Sequence, residues 1–199
     1  MSKIAVVTGG TSGIGRETAL ALQAAGYTVY ELSRRAAGVE SLHHITADIT
    51  KEDTVTAAVA QIVAAEGRID VLVNNAGFGI SGAVEFTDTE DAKRLFDTNF
   101  FGMVRMNRAV IPVMRRQGSG RIVNLSSVAA HIPIPFQTYY SAGKAAVNAY
   151  TMALANELRP FGITVCAMIV MIIGGVLSGY IPARKVVQRE VIELLAKQE

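Results

Sequence analysis

Short apolar runs alternate with longer helix-like stretches along the chain. The runs of strand length are KIAVVTG, YTVYELS, LHHITADI, RIDVLVNNAG, GRIVNLSS and GITVCAMIV, of which the third is the weakest. Between them, RETALALQAAG predicts a helix ending at Gly26, and KEDTVTAAVAQIVAAEG predicts one ending at Gly67. A longer helical region extends over residues 88–117, and we expect it to be interrupted or bent near Asn99 and Pro112.

This alternation of strands and helices is typical of an α/β protein. Because the strands are apolar on both faces, we predict a parallel sheet covered by helices, with right-handed crossovers. The helix before the sixth strand carries Tyr140 and ends near Arg159. We therefore predict a single domain with a doubly wound parallel sheet. Residues 1–166 form its main body, and residues 167–199 form a divergent C-terminal segment of the same domain.

Composition and charge narrow the class of protein. The 199 residues are 50% hydrophobic and 18% charged, as in a folded globular protein. A net charge of +2, with arginine pairs that are short and separated, argues against a nucleic-acid binder. The single cysteine, Cys166, suits a reducing compartment, and the apolar run at the N-terminus is too short for a secretory signal. We expect a cytoplasmic protein without a metal site, in which His43 and His44 are a solvated pair.

A glycine-rich loop, TGGTSGIG at residues 8–15, joins the first strand to the first helix. Glycines at such a junction let the backbone approach a pyrophosphate, which the helix N-terminus then stabilises electrostatically. The spacing of Gly9, Gly13 and Gly15 differs from the usual GxGxxG pattern, and any tight turn needs glycine. The position of the loop at the first strand–helix junction is what favours a nucleotide site.

The stretch PFQTYYSAGKAA, residues 135–146, carries two adjacent tyrosines and a lysine. Since a helix turns about 100° per residue, Tyr139 and Tyr140 point in different directions. Only Tyr140 stands at i, i+4 to Lys144, on the same face of the helix. An ammonium there would lower the pKa of the phenol by favouring the phenolate. By itself, however, this spacing is usually that of an ordinary surface pair.

Taken together, the motifs of residues 3–166 resemble those of the short-chain dehydrogenase/reductase family. They are the TGxxxGxG loop (Thr8, Gly9, Gly13, Gly15), NNAG at 74–77, Asn99, Ser127 at the end of GRIVNLSS, and Tyr140-x-x-x-Lys144. Ser127 also precedes Tyr140 by the separation that the family shows. The resemblance implies a Rossmann-type fold and hydride transfer between a nicotinamide and a carbonyl or alcohol carbon.

The resemblance also implies a role for each catalytic residue. Tyr140 would be the acid/base, and Lys144, with the positive nicotinamide, would lower the pKa of its phenol. Ser127 would hydrogen-bond the substrate oxygen, and Asn99 would break its helix and anchor a water that links Lys144 to solvent. Tyr139 would pack or form a wall of the substrate pocket.

The end of the second strand predicts the choice of cofactor. An acidic residue there binds the ribose 2′-OH of NAD, whereas a basic one accommodates the 2′-phosphate of NADP. The position that the family uses for its acid holds Ser33, and Arg34 follows. Glu31, on the same strand face as Ser33, is a minor rival, and Arg16 would add a second cation near the phosphate. NADP(H) is therefore favoured over NAD(H), although Arg34 has the alternative of being a solvated loop residue.

The remaining site residues follow from the resemblance and from adjacency. Asp48 and Ile49 would flank the adenine, and residues 75–77 would lie along the cofactor ribose. The full set of expected cofactor-binding residues is Gly9, Thr11, Ser12, Gly13, Ile14, Gly15, Ser33, Arg34, Asp48, Ile49, Asn75, Ala76, Gly77, Tyr140 and Lys144. Candidate substrate-pocket residues are Phe78, His131, Ile132, Pro133, Phe136 and Gln137, whose apolar character suggests a lipophilic ketone, aldehyde or secondary alcohol.

The C-terminal sequence departs from the family pattern. After ITVCAM, the family usually has a Pro-Gly turn, a substrate-covering lid and a last strand, none of which is recognisable here. Either the sequence omits a segment, or the protein lacks a complete lid. KVVQREVIELLAKQ predicts an amphipathic helix with Val187 and Val191 on one face. The uncharged residues 160–183 are long enough to span a bilayer, but GITVCAMIV is better explained as a buried strand, so membrane contact is a minority interpretation.

We therefore expect an NADP-dependent oxidoreductase that acts on the carbonyl or secondary alcohol of a lipophilic small molecule. The alternative is a dinucleotide-binding protein without turnover, because the substrate lid is atypical. By analogy with the family, a homodimer or homotetramer would form through the helices that hold Asn99 and Tyr140.

Overall fold

The computed structural model describes residues 2–35 and 41–170. Its strands are β1 (Ile4–Thr8), β2 (Thr28–Ser33), β3 (His43–Thr46), β4 (Val71–Asn74), β5 (Gly120–Ser127) and β6 (Ile163–Val170). Its α-helices are α1 (Gly13–Ala24), α2 (Glu52–Glu66), α3 (Thr89–Phe96), α4 (Met103–Gln117) and α5 (Thr138–Leu158). The sheet has the order β3-β2-β1-β4-β5-β6, and all neighbouring strands are parallel. The prediction of a Rossmann-type parallel sheet is confirmed.

Strand β1 shows why the sheet is buried on both faces. All of its residues are buried, and successive side chains point to opposite faces of the sheet. Ile4 and Val6 pack into the cluster with residues of α2 and α4, whereas Ala5 and Val7 pack against α1. A strand in this position needs an unbroken apolar run, which is what the sequence KIAVVTG provides.

The strand order reverses at β1, which lies between β2 and β4. The chain moves outward from β1 through β2 to β3, and then returns to the other side of β1 to begin β4. The carboxyl ends of β1 and β4 therefore open onto a crevice at the reversal point, where open α/β sheets bind their ligands.

The long helical region is interrupted at the expected place. A π-helical turn, Asp97–Gly102, separates α3 from α4 and contains Asn99. Such turns place one extra residue in a helix and often occur at functional sites. Helix α4, in contrast, continues through Pro112.

The two histidines of β3 lie in a paired strand; His43 is exposed, as expected, whereas His44 is half-buried, and both have partners that the sequence did not predict. The His43 ring stacks on the Tyr30 ring, with 4.9 Å between centroids. His44 Nδ1 lies 2.6 Å from Oε2 of Glu31, its register partner in β2. Strand pairing between β2 and β3 therefore gives both imidazoles specific partners.

Strand β6 continues past residue 166, the predicted limit of the main body. It occupies the first part of the uncharged stretch 160–183, and within the residues described no helix is long and apolar enough to cross a membrane. The expected lid region and the amphipathic helix with Val187 and Val191 lie outside the described residues, so the proposed division of the domain stays a prediction.

Candidate active site

A cavity of about 820 Å³ lies at the carboxyl ends of the strands, at the reversal point of the sheet. It brings together side chains from the glycine loop, from the ends of β2 to β5 and from α5. The predicted residues that line it are Gly9, Thr11, Ser12, Ile14, Gly15, Ser33, Arg34, Asp48, Ile49, Asn75, Ala76, Gly77, Asn99, Ser127, Tyr140 and Lys144. Gly13 is not among the lining residues; it begins α1 with a φ of 55°, a conformation that favours glycine.

The glycine loop packs directly on the segment after β4. The Thr8 hydroxyl oxygen accepts hydrogen bonds from the backbone N–H groups of Asn75 and Ala76, each at 3.0 Å. The Asn75 side chain donates to the carbonyls of Thr8 (2.9 Å) and Gly9 (3.1 Å). A Cβ on Gly15 would overlap the Asn75 amide. Glycine is therefore required here for close packing within the protein.

The start of α1 faces this cavity and suits an anion. Ser12 is the N-cap residue, its backbone is extended, and its side chain makes no capping hydrogen bond. The first N–H groups of a helix have no partner within the helix, and the helix dipole favours negative charge at that end. The sequence prediction of a phosphate-binding helix start thus fits the geometry.

Basic and acidic groups meet at the far end of the cavity. Ser33, Arg34 and Arg35 line it after β2, and Asp48 lines it after β3. Burial would raise the pKa of Asp48, but hydrogen bonds from Thr50 and the nearby positive charges of Arg34 and Lys51 lower it below its ordinary value.

Among the described residues, Arg16 lies outside the cavity lining. Its guanidinium is instead 3.3 Å from the Glu17 carboxyl group. The second cation that we expected near the phosphate is therefore not placed there.

Glu31 does not take part in the cavity wall either. Its side chain is fully buried, and Oε1 accepts a hydrogen bond from the Gly10 N–H at 3.0 Å. The other oxygen lies 2.6 Å from His44 Nδ1 and 3.3 Å from the Ser33 hydroxyl. The minor alternative, in which Glu31 binds the cofactor ribose, is contradicted because the carboxyl group is turned beneath the glycine loop.

Helix α5 presents Tyr140 and Lys144 to the cavity, whereas Tyr139 does not line it. Lys144 Nζ lies 5.8 Å from the centroid of the Tyr140 ring and donates to the Leu125 carbonyl of β5 at 2.7 Å. Only 8% of Lys144 is exposed, and this burial lowers the pKa of its ammonium to about 8. Helical spacing thus selects Tyr140 as the tyrosine beside the lysine.

Ser127 is buried at the end of β5, where its hydroxyl oxygen accepts a hydrogen bond from the Ala129 N–H at 3.2 Å. The preceding Ser126 donates instead to the Lys144 carbonyl, at 3.4 Å. Ser126 thereby links β5 to α5, and it also lines the cavity beside Ser127.

Asn99 holds the loop that follows β4. Its Oδ1 accepts from the Phe78 N–H at 3.0 Å, and its Nδ2 donates to the Phe78 carbonyl at 2.7 Å. A Cβ on Gly77 would lie 2.9 Å from Asn99 Oδ1. The π-helical turn thus places the Asn99 amide where it pairs with one residue of the cofactor-side loop, a contact that the sequence did not predict.

The candidate substrate residues divide into two groups. Phe78 and Gln137 line the cavity, whereas His131, Ile132, Pro133 and Phe136 are not among its lining residues. His131 Nε2 lies 3.0 Å from Asn148 Nδ2. Cavity residues that sequence reasoning missed are Leu32, Arg35, Ala47, Thr50, Gly79, Thr98, Leu125, Ser126, Val128 and Ile134. Most of them adjoin a predicted residue, so adjacency is the signal that would have found them.

Comparison with known proteins agrees with this geometry. The family model described as short chain dehydrogenase matches residues 3–181. A curated relative, 3-ketodihydrosphingosine reductase of Bacteroides thetaiotaomicron, is 44% identical over 165 residues, which cover 82% of this chain and 61% of the relative. The chain therefore spans about three fifths of that relative's length.

Solved structures give the same result. "ElxO with NADP Bound" is 31% identical with a TM-score of 0.83, and the match covers 86% of this chain and 74% of the other. The 3-ketoacyl-(acyl-carrier-protein) reductase from Brucella melitensis, complexed with NADH, is 34% identical with a TM-score of 0.82, over 85% of this chain and 75% of the other. This chain belongs to the short-chain dehydrogenase family.

Proposed function

We propose that the protein is an NADP-preferring oxidoreductase that acts on a carbonyl or secondary alcohol of a lipophilic small molecule. One observation carries the proposal: Ser127, Tyr140 and Lys144 line the same cavity as the glycine loop. A protein that only bound a dinucleotide would have no use for an acid/base group beside a buried lysine. This arrangement therefore favours turnover over the non-catalytic alternative.

Each of the proposed catalytic residues in the cavity has its own role in the reaction. The bound nicotinamide cofactor supplies or accepts the hydride. Tyr140 exchanges a proton with the substrate oxygen, and the Ser127 hydroxyl holds that oxygen beside it. Lys144, fixed by the Leu125 carbonyl, stabilises negative charge on the Tyr140 oxygen. Asn99 acts as a positioning residue, since both polar groups of its side chain hold Phe78.

The preference for NADP rests on the charge at the end of β2. Arg34 and Arg35 line the cavity, and the carboxyl group of Glu31 is turned away from it. A 2′-phosphate would find cations there, whereas a ribose 2′-OH would lack the acidic partner it usually has at this position. Neighbouring family members with NADP and with NADH are both known, so the choice must be measured.

The lipophilic substrate is supported by the side chains near Tyr140. Phe78 and Ile134 line the cavity and are 36% and 39% exposed, and Val128 is a further apolar lining residue. The name of the Bacteroides relative, 3-ketodihydrosphingosine reductase, also specifies a ketone. A ketone on a largely apolar molecule is therefore the substrate class to test first.

The proposed assembly is a homodimer or homotetramer that pairs the helical surfaces around Asn99 and Tyr140. Phe101 of the π-helical turn is 50% exposed, and Met152 of α5 is 71% exposed. Pairing two copies would remove such apolar surface from water. Light scattering of the purified protein gives the oligomeric state, and a monomer at micromolar concentration would contradict this part of the proposal.

The experiment that tests the function measures binding and turnover separately. NADPH and NADH binding is followed by cofactor fluorescence, and a panel of lipophilic ketones is then assayed with the tighter-binding cofactor. We expect tighter binding of NADPH and consumption of NADPH with at least one ketone. Binding without turnover of any ketone, or of the matching secondary alcohols with NADP, would favour the non-catalytic alternative.

A further inference from the structure

Glu31 is a fully buried carboxyl group. Within the part of the chain that the structure describes, most other buried polar groups belong to the cavity or to the asparagine network around Asn74. Glu31 lies on β2 with 0% exposure and contacts three polar groups. These are the Gly10 N–H (3.0 Å), His44 Nδ1 (2.6 Å) and the Ser33 hydroxyl (3.3 Å). A buried carboxyl group is retained only when such partners compensate its desolvation.

The contact with Gly10 is steric as well as polar. A Cβ on Gly10 would lie 2.5 Å from Glu31 Cγ, so any larger residue at position 10 would force the Glu31 side chain or the loop to shift. Gly10 is one of the variable positions of the TGxxxGxG pattern, so the pattern itself does not explain it. The close contact between Gly10 and the Glu31 side chain explains why a glycine stands here.

The same contact sets the course of the glycine loop. The Gly9 N–H donates to the Leu32 carbonyl at 2.8 Å, and the Gly10 N–H donates to Glu31. The first two backbone N–H groups after β1, those of Gly9 and Gly10, are therefore hydrogen-bonded to β2. Residues that follow, at the start of α1, line the cavity.

Glu31 also connects the loop to the end of β2 that faces the adenosine half of the cavity. The Ser33 hydroxyl has one proton, which it shares between the Glu31 carboxyl group at 3.3 Å and the Arg35 carbonyl at 2.7 Å. His44 fixes the carboxyl group from β3 and is itself 3.1 Å from the Thr46 hydroxyl through Nε2. The Glu31 side chain thus contacts both the glycine loop and the end of β2, the two segments between which a dinucleotide would lie.

We propose that Glu31 is a positioning residue for cofactor binding, which holds Gly10 of the glycine loop and Ser33 in place with the help of His44. This inference rests on the proposed function, because it assumes that the cavity binds a nicotinamide dinucleotide. Glu31 touches no cofactor atom; it acts through the loop. Its effect falls on the affinity for NADPH and for NADH alike, since both carry the pyrophosphate that the loop faces.

The test compares Glu31→Ala with Glu31→Gln and with Tyr30→Phe. Glu31→Ala removes the partner of Gly10, and we expect the dissociation constants of NADPH and NADH to rise about tenfold, the effect of one lost buried hydrogen bond. Glu31→Gln keeps a side-chain oxygen for the Gly10 N–H and restores affinity to within about threefold. At saturating cofactor, kcat changes less than about twofold, because Tyr140 and Lys144 are untouched.

Tyr30→Phe is the matched control on the same strand. Tyr30 donates to Glu66 at 2.8 Å from the opposite face of β2, so the variant loses one hydrogen bond away from the loop. It is expected to lose stability but to leave both dissociation constants unchanged. If Glu31→Ala is merely destabilised like Tyr30→Phe and binds both cofactors like the unmodified protein, the inference is wrong.

A double-variant cycle tests the steric part. Gly10→Ala places a methyl group against Glu31 and is expected to weaken NADPH binding, and this loss shrinks in the Glu31→Ala background. Equal losses in both backgrounds would overturn the pairing of Gly10 with Glu31. If the unmodified protein binds neither cofactor, the proposed function fails and this inference fails with it, whereas normal binding by Glu31→Ala overturns the inference alone.

Discussion

Lys144 Nζ lies 5.8 Å from the centre of the Tyr140 ring, one turn farther along α5. The ammonium is held by the Leu125 carbonyl of β5 rather than by the tyrosine itself. The strand therefore fixes the cation, and the helix presents the phenol to the cavity. Residues from two elements of the fold thus bring the cation and the phenol close together at the cavity.

Replacing each tyrosine by phenylalanine separates the two positions. Tyr140→Phe removes the proposed acid, so kcat should fall about 10²- to 10⁴-fold while NADPH binding is retained. Tyr139→Phe, whose side chain does not line the cavity, should keep activity within about threefold. Steady-state rates and fluorescence titration give both quantities, and an inactive Tyr139→Phe beside an active Tyr140→Phe would reverse the assignment.

The buried ammonium of Lys144 predicts a pH-dependent stability. Burial lowers its pKa to about 8 in the folded protein, against 10.5 for the exposed group. Between these values the unfolded chain binds more protons, so stability rises with pH relative to Lys144→Met, by up to about 3 kcal/mol. Below pH 8 both states are charged and the difference between the two proteins stays constant.

Denaturant unfolding at pH 7 and pH 10 without cofactor measures this difference. Lys93→Met is the matched control, since the Lys93 side chain is 67% exposed and pairs with Glu90. That variant should follow the unmodified protein at both pH values. A Lys144→Met profile that also runs parallel to the unmodified protein would show that Lys144 is not desolvated.

Arg34 predicts a selective loss of NADPH affinity. Arg34→Ala removes a cation from the end of the cavity next to β2, where we propose that the 2′-phosphate binds, so the dissociation constant of NADPH should rise about 10- to 100-fold while that of NADH changes little. Arg16→Ala is the control, because Arg16 pairs with Glu17 away from the cavity lining. Equal losses for both cofactors, or an equal effect of Arg16→Ala, would contradict the proposed NADP preference.

Asn99 predicts a link between the π-helical turn and the loop after β4. Asn99→Ala removes both hydrogen bonds to Phe78, and we expect a loss of about 1–2 kcal/mol in the free energy of unfolding and weaker cofactor binding. Asn156→Ala, which loses only an exposed hydrogen bond from Arg159, should change the free energy of unfolding by less than about 0.5 kcal/mol. Urea unfolding and NADPH titration of the two variants check this, and equal effects would show that the Phe78 contact is unimportant.

The sheet could be predicted because its signals are local. The short apolar run Ile4–Thr8, followed by two glycines, is typical of a strand covered on both faces, and it forms one. The interruption at Asn99 also appears at the expected position. The interpretation of His43 and His44 as a solvated pair holds for the exposed His43 but missed the partners of both rings, because it considered only their sequence neighbours. Their partners, Tyr30 and Glu31, come from the adjacent strand, and strand register is not visible in a single segment.

The sequence by itself determined the contacts between cavity residues that are close together in the chain. Tyr140 and Lys144 share a face because of helical periodicity, and Thr8 to Gly15 form a loop because β1 runs directly into α1. Only the tertiary structure decided the direction of Glu31. Strand alternation placed it on the face of Ser33, but the approach of Gly10 from above and His44 from the side turned its carboxyl group into the protein. A buried carboxyl group goes where hydrogen-bond donors compensate its lost hydration, and these donors come from segments far apart in the chain.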